Sequence, residues 1–367
     1  MKVLTTRACN RATLDRQLLL RRADLDVLAA VEHLIGLQSQ APFPPYTGLW
    51  TRLIDFRPQA LAELLLDRRV VRIALMRCTV HLVTAADCLA LRPLHQDMLE
   101  RTVRTAYRKQ LAGIEFADVA EYGKALIEEK PRSTTELGAL LLDRWPDRDR
   151  QALLNVVRSA LPLVQLPPRG VWGRSGQPTV TTAQAWLDRP LCTTSTLDSL
   201  VLRYLAAFGP ATVADAQKWS GLTRLAEVFD RLRQGLITFP AENGADLFDL
   251  PDAPRPDPDI EAPVRFLPDF DNILLSHADT TRIMPAEHRA KLFTVNGIIR
   301  AALLVDGVTA GKWQITREGH TAVLTIEPFH RLSTQATSAI ETEGLRLLTF
   351  TDSGADDHAV HVLPVTN

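Results

Sequence analysis

The sequence predicts an α+β protein: three tandem winged-helix (helix-turn-helix) units followed by a small C-terminal β-barrel. Three observations lead there. An order of short helices and then a β-branched hairpin recurs three times before residue 252. The acidic stretch DLPDAPRPDPDIEAP, residues 249–263, then interrupts the chain with five prolines. Beyond it, strand-length apolar runs alternate with Gly turns around a single helix, the pattern of a small β-barrel or of a β-sheet closed by one helix. The implied units are residues 1–112, 113–192 and 193–252, with linker and barrel over 253–367. A chain of 367 residues, at roughly 150 per domain, has room for two or three ordinary cores.

In the first unit, Asp24 precedes Val27, Leu28, Val31, Leu34 and Ile35, whose three- and four-residue spacing predicts a helix capped by Asp24. Gly36 weakens that helix, and APFPP at 41–45 prevents its continuation. Helices follow through Leu49 and Leu53 and over 58–66, and then VVRIALM (70–76) and TVHLV (79–83) form a hairpin. The second unit has amphipathic helices at 119–128, 137–142 and 148–161, with Ser133 as a cap and Glu136 as its capping-box partner. LVQLPPRGVWGRSG (163–176) reads as strand, turn and strand, with Arg169 and Arg174 near the tip. In the third unit a helix over 197–208 breaks at Gly209-Pro210, Thr212 caps VADAQKWS, and 223–234 is the would-be recognition helix. Strands 236–239 and 247–250 flank its turn. A generic helical bundle is the competing fold, and the recurring hairpins argue against it. The last unit has expected strands at 291–295, 298–305, 308–315, 322–326 and 359–363, and a helix at 334–348.

Composition narrows the function. Hydrophobic and charged fractions of 46% and 23% are those of an ordinary globular protein and exclude a disordered tail or a uniformly basic coat. Taken as a whole, the net charge of −1 argues against nucleic acid, but it is unevenly spread. Residues 1–110 hold 17 basic and 10 acidic side chains, whereas 241–280 hold 10 acids against Arg255 and Arg265. Only seven of the 42 cations are Lys. Guanidinium suits bidentate phosphate contacts, although a genome rich in G and C gives the same bias. No signal-peptide core or membrane-length apolar run occurs, so a cytoplasmic location is expected. Cys9, Cys78, Cys88 and Cys192 are scattered without a CxxC pair, and His358 and His361 fall on opposite faces of an apparent strand. Neither a metal nor another cofactor is expected.

The strongest local oddity is Gln38-Ser39-Gln40, read as the end of a helix just before the proline break. Residues two apart lie about 200° apart on a helix, so both amides reach one cavity only where the helix frays into extended chain. Each amide offers a donor and an acceptor without a charge to desolvate. An ordinary surface pair is the plain alternative.

GLQSQAPFPPYTGLWTRL (36–53), MRCTVHLVTAADCLALRP (76–93) and FLPDFDNILLSHADTTRI (266–283) resemble, in order, the conserved blocks of the bacterial AlkZ/YcaQ-type DNA glycosylases. The resemblance spans essentially the whole chain and implies a C-shaped clamp of three winged helices and a β-barrel. It also implies that Gln38 and Gln40 are the catalytic pair of an AlkZ-like Gln-apolar-Gln motif, with Ser39 departing at the apolar position. Implied with it are release of N7-alkylated purines from double-stranded DNA, bulky adducts and interstrand crosslinks of a genotoxic natural product included, by a monomer needing no cofactor. Alkylation at N7 makes the base a cationic leaving group, so orienting a water at C1′ and stabilising an oxocarbenium with dipoles suffices. A crosslinked base cannot flip into a deep pocket, so an open cleft is expected.

Other positions keep two readings. Arg77, Thr79 and His81 alternate onto one hairpin face and either track a phosphate or are solvated. Arg104, Arg108 and Lys109, taken as one helix face, pose the same choice, and Arg169 and Arg174 are further candidates for DNA contact. Tyr46 and Trp50 either pack in the core or line the cleft. His277 and Asp279 either make structural hydrogen bonds or touch DNA near the lesion. The rival functions are a non-catalytic winged-helix regulator, which needs no amide pair, and a genotoxin-sequestering protein, which needs no basic N-terminal block.

Overall fold

A computed structural model describes residues 3–365. The first 110 residues form α1 (Thr6–Arg16), α2 (Val27–His33), β1 (Leu37–Gln38), α3 (Pro44–Trp50), α4 (Pro58–Leu66), β2 (Val70–Ala74), β3 (Val80–Thr84), α5 (Ala85–Leu94) and α6 (Gln96–Ala106). Then come α7 (Phe116–Glu129), β4 (Arg132–Ser133), α8 (Thr134–Arg144), α9 (Arg150–Ala160), β5 (Leu163–Gln165), β6 (Thr179–Thr182) and α10 (Ala183–Leu187). A third group comprises α11 (Leu197–Phe208), α12 (Val213–Ser220), α13 (Ala226–Leu232), β7 (Ile237–Pro240) and β8 (Asp246–Asp249). The chain closes with β9 (Arg265–Leu267), α14 (Ala286–Leu292), β10 (Ala302–Val305), β11 (Val308–Glu318), β12 (Thr321–Pro328), α15 (Thr334–Thr351) and β13 (Asp357–Val362).

Caps explain most helix starts. Thr212 and Asp215 satisfy each other's backbone N–H groups in a full capping box at α12. Ser133 accepts from the N–H of Glu136, but the Glu136 carboxylate turns to Arg132 at 2.6 Å, so the reciprocal half of the expected box is not made. The cap of α2 is Asp26 rather than Asp24, its carboxylate accepting from the N–H of Ala29.

The expected first and second hairpins are not separate wings. β2 pairs antiparallel with β5, Arg72 opposite Gln165, and joins them into one six-stranded sheet of order β1-β3-β2-β5-β6-β4. Pairing covers edges that two isolated hairpins would leave open. The second strand of the middle hairpin is β6, not part of the VWGRSG run, which lies in the long loop 166–178. The third hairpin, β7-β8, stands as its own two-stranded sheet.

The C-terminal part is an open five-stranded sheet, order β13-β12-β11-β10-β9, and not the expected closed barrel. Its end strands β9 and β13 do not pair with each other; α15 instead lies across the sheet, with Ile340, Leu347 and Leu348 packed against Phe266, Leu324 and Ile326. Residues 291–295 are the end of α14 and a turn rather than a strand. Cores run across the expected divisions. One joins the β2-β3 hairpin to α11–α13, a second joins α2–α4 to the C-terminal sheet, and only α7–α9 with β5 and β6 keep a core largely to themselves. Among the described residues no helix is long and apolar enough to cross a membrane.

Candidate active site

The two glutamines sit on extended chain, not at a helix end. α2 stops at His33, and after Gly36 the backbone runs alongside β3, with Leu37 opposite Leu82 and Gln38 opposite His81. Ser39 N–H then donates to Val80 O at 2.7 Å. Gln40 follows two residues later, in the bend beyond β1, so the 200° divergence of a helix does not apply to the pair. Gly36 permits this turn: its φ is +85°, and a Cβ there would meet Val83 Cγ1 at 2.5 Å and Leu82 O at 2.7 Å.

Each amide is fixed by a partner that can only donate. Arg77 Nη2 donates to Gln38 Oε1 at 2.7 Å, and the N–H of Val80 donates to Gln40 Oε1 at 3.2 Å. Both carbonyl oxygens are thus identified by chemistry, which leaves both NH2 groups and a second oxygen lone pair free. Gln38 is buried whereas Gln40 is exposed. A latch from the distant C-terminal part holds the strand: Asn272 Oδ1 accepts from the N–H of Gln38 at 3.1 Å, and its Nδ2 donates to Gly36 O at 2.8 Å. Next to it, Asp271 makes a bidentate, buried ion pair with Arg52, both contacts 2.8 Å.

Behind the strand, Arg72 clasps the residue between the glutamines. Its Nε donates to Ser39 Oγ at 2.9 Å, its Nη2 to Ser39 O at 2.7 Å and its Nη1 to Gln165 Oε1 at 2.7 Å. Burial pulls the Arg72 guanidinium down to about 10, with Arg169 adding a like-charge push in the same direction. Ser39 supplies the hydroxyl acceptor that an apolar residue would lack.

Several expected contact residues are spent internally. Arg77 lies in a turn at φ +56°, gives one nitrogen to Gln38 and another to Trp219 O, and burial pulls it down to about 10. His81 is fully buried, and desolvation holds its pKa well below the usual histidine range, so it is neutral. Thr79 donates to Met76 O at 3.1 Å. The expected exposed stripe Arg77-Thr79-His81 is therefore corrected to a set of supports beside Gln38, because the hairpin turns inward against α12. Arg104 stacks on Phe116 at 3.8 Å, while Arg108 and Lys109 fall beyond the end of α6, so the three do not share one helix face. Arg174 is exposed in the 166–178 loop.

Tyr46 and Trp50 are core residues. Tyr46 donates to Gly170 O at 2.7 Å and accepts from the N–H of Trp172 at 3.0 Å, and burial pushes it up to about 12. It thereby pins the loop that carries Arg169. Trp50 stacks on Phe350 with ring centres 5.6 Å apart, and Arg22 covers it at 4.7 Å. His277 is buried between Ser276 Oγ (3.1 Å) and Phe208 O (3.0 Å), so its part is structural; Asp279 accepts from Thr281 at an exposed turn. No group of three metal-ligating side chains occurs among the described residues.

Beside Gln40 opens a cleft of about 440 Å³ between the first and second groups of helices, lined by Arg72, Arg158 and Arg169, by Tyr107 and Asn155, and by apolar residues that include Leu99 and Val103. No residue of the acidic linker lines it. Arg72, Arg158 and Asn272 were not singled out in the sequence. A lone Arg inside VVRIAL and an Asn in a resembling block were the available signals.

Residues 31–350 match the family model of the AlkZ-like DNA glycosylases. Among solved structures, the Streptomyces sahachiroi DNA glycosylase AlkZ is similar over 99% of this chain and 100% of its own, with a TM-score of 0.81 and 19% identity, a likeness of fold. No curated protein matches the chain.

Proposed function

Because the chain belongs to the AlkZ-like DNA glycosylase family, we propose that it releases N7-alkylated purines from duplex DNA, with Gln38 and Gln40 as its catalytic residues. One observation carries this reading: the amides on either side of Ser39 are each held against the β2-β3 hairpin by a donor on the carbonyl oxygen. The family activity is hydrolysis of an N-glycosidic bond, and a cationic N7-alkylpurine leaves without strong acid catalysis. What remains for the protein is to hold the deoxyribose, place a water at C1′ and offer fixed dipoles to the developing positive charge. The free NH2 groups suit sugar and water oxygens, and the second lone pair on each carbonyl suits a water proton. No carboxylate base is needed for such a leaving group. The product is free base and an abasic site, without a covalent enzyme intermediate.

Exposure of Gln40 at an open cleft supports acceptance of bulky adducts and interstrand crosslinks from a genotoxic natural product, and hence a role in self-resistance or repair. The three helix–helix–hairpin successions, read as winged helices over 1–112, 113–192 and 193–252, would present the DNA to this strand, the protein acting as a monomer.

The test is incubation with duplex DNA containing N7-methylguanine or an N7 crosslink, followed by alkaline cleavage at abasic sites. Wild type is expected to give breaks, and Gln38→Ala and Gln40→Ala each to slow single-turnover release by about ten- to a hundredfold. Absence of breaks, or variants as fast as wild type, sinks the mechanism.

A further inference from the structure

Arg92 and Arg265 are buried singly against backbone and amide oxygens, while other buried guanidiniums meet carboxylates: Arg16 with Asp249 at 2.7 Å, Arg52 with Asp271 at 2.8 Å, Arg22 with Glu343 at 2.5 Å. The three that face the cleft beside Gln40 do not. Arg72 donates only to Ser39 and Gln165. Arg169 gives one nitrogen to Gly176 O at 3.0 Å, and its buried Nε has no acceptor. Arg158, projecting from α9, has no carboxylate within ion-pair distance among the described residues. Tyr107 OH accepts from Asn155 Nδ2 at 2.9 Å, which leaves its own proton to give.

A half-enclosed space with three cations, a free hydroxyl proton and no counter-charge is complementary to an anion with several acceptor oxygens. The arginines are repulsive to a cationic base, so an N7-alkylpurine belongs beside the glutamines and not among the arginines. Desolvation lowers Arg72 and Arg158 from the usual arginine range, and the approach of an anion relieves that cost. We propose that this cleft receives one backbone phosphate of the DNA, bound by Arg158, Arg169 and the Tyr107 hydroxyl, with Arg72 as the fixed positive floor. That phosphate lies close to the lesion, because Gln40 lines the same cleft, and it sets the position of the sugar in front of the two amides. DNA as the source of the anion rests on the glycosylase reading; the arginine cluster does not.

The experiment measures binding, so it is independent of base release. Duplexes with a tetrahydrofuran abasic analogue carry a single neutral methylphosphonate at each of the neighbouring phosphates in turn, and are titrated with wild type, Arg158→Met and Arg158→Lys. At one position wild type is expected to lose about tenfold in affinity. Arg158→Met should lose a similar factor on unmodified DNA, with less than a twofold further loss at that position, and its salt slope should fall by about one. Arg158→Lys, keeping the charge, should behave closer to wild type. Equal losses for wild type and Arg158→Met at every position, or indifference of wild type to all of them, overturn the phosphate site. Thermal melts of the two variants separate a folding defect from a binding one, since a misfolded Arg158→Met would lose affinity without the position-specific coupling. Excision of N7-methylguanine without that coupling overturns this site alone; coupling without excision leaves the site standing and overturns the catalytic proposal.

Discussion

Ser39 shows how one side chain can serve the two beside it. Its hydroxyl accepts from Arg72 Nε, and its carbonyl accepts from the same guanidinium. Ser39→Ala removes one acceptor from a buried cation while leaving both glutamines in place. The expected cost is about 1–3 kcal/mol of folding stability, seen as a lower urea midpoint. Base release should fall far less than in Gln38→Ala, because the carbonyl bond to Arg72 still holds the strand. Equal stability of Ser39→Ala and wild type would show that Arg72 does not depend on the hydroxyl. The Gln-Ser-Gln triplet was readable in the sequence as a constellation, but its geometry was not. A helix-end reading makes the amides diverge, whereas the backbone of residues 37–39 runs along β3 and each amide is held there by its own donor. Arg77 illustrates the reverse error: alternation along the hairpin predicts an exposed cation, yet the turn at positive φ carries its guanidinium to Gln38 and Trp219.

At the scale of elements, β1 is the smallest strand with the largest consequence. It exists because Gly36 tolerates φ +85° and the closeness of Val83 and Leu82 O. Gly36→Ala is expected to push β1 away from β3, lowering stability by about 1–3 kcal/mol and slowing release by at least roughly tenfold. The check is a thermal melt beside single-turnover release; unchanged release in a destabilised but folded variant would mean that strand register is not what aligns the amides. Elements with an apolar stripe and a cap were readable, α8, α11 and α12 among them. α1 was not, because its buried face includes Asn10, Arg11 and Arg16, which bond to carbonyls and carboxylates from the linker and beyond. Polar burial of that kind leaves no periodic hydrophobic signal. The expected barrel failed for a topological reason: strand count can be read locally, whereas closure depends on whether β9 and β13 meet.

Over the whole molecule, the near-zero net charge resolves into tethers and an open basic cleft. Arg7, Arg11 and Arg16 of α1 donate to the carbonyls of Pro258, Ile260 and Pro254, so the acidic linker is strapped along the first helix. Three buried histidines give the fold a pH dependence. Desolvation holds His81 and His277 well below the usual range and brings His95 down to about 4, so all three are neutral when folded. The unfolded chain binds these protons near pH 6.5, so below that value it holds more protons than the native state and stability is lost as the pH falls. Each histidine contributes up to about 1.4 kcal/mol per pH unit between roughly 6.5 and 4. Urea midpoints should drop between pH 7 and pH 5, with a shallower slope in His277→Gln; a flat profile contradicts neutral burial.

The latch on the glutamine strand also fixes a timetable. Asn272 lies 234 residues after Gln38 and is made correspondingly later on the ribosome. The core that packs α2–α4 is likewise shared with the C-terminal sheet, so a chain cut short of residue 272 lacks both the clasp on the glutamine strand and the packing behind it, and the arrangement of the two amides is completed only when the C-terminal part has been made.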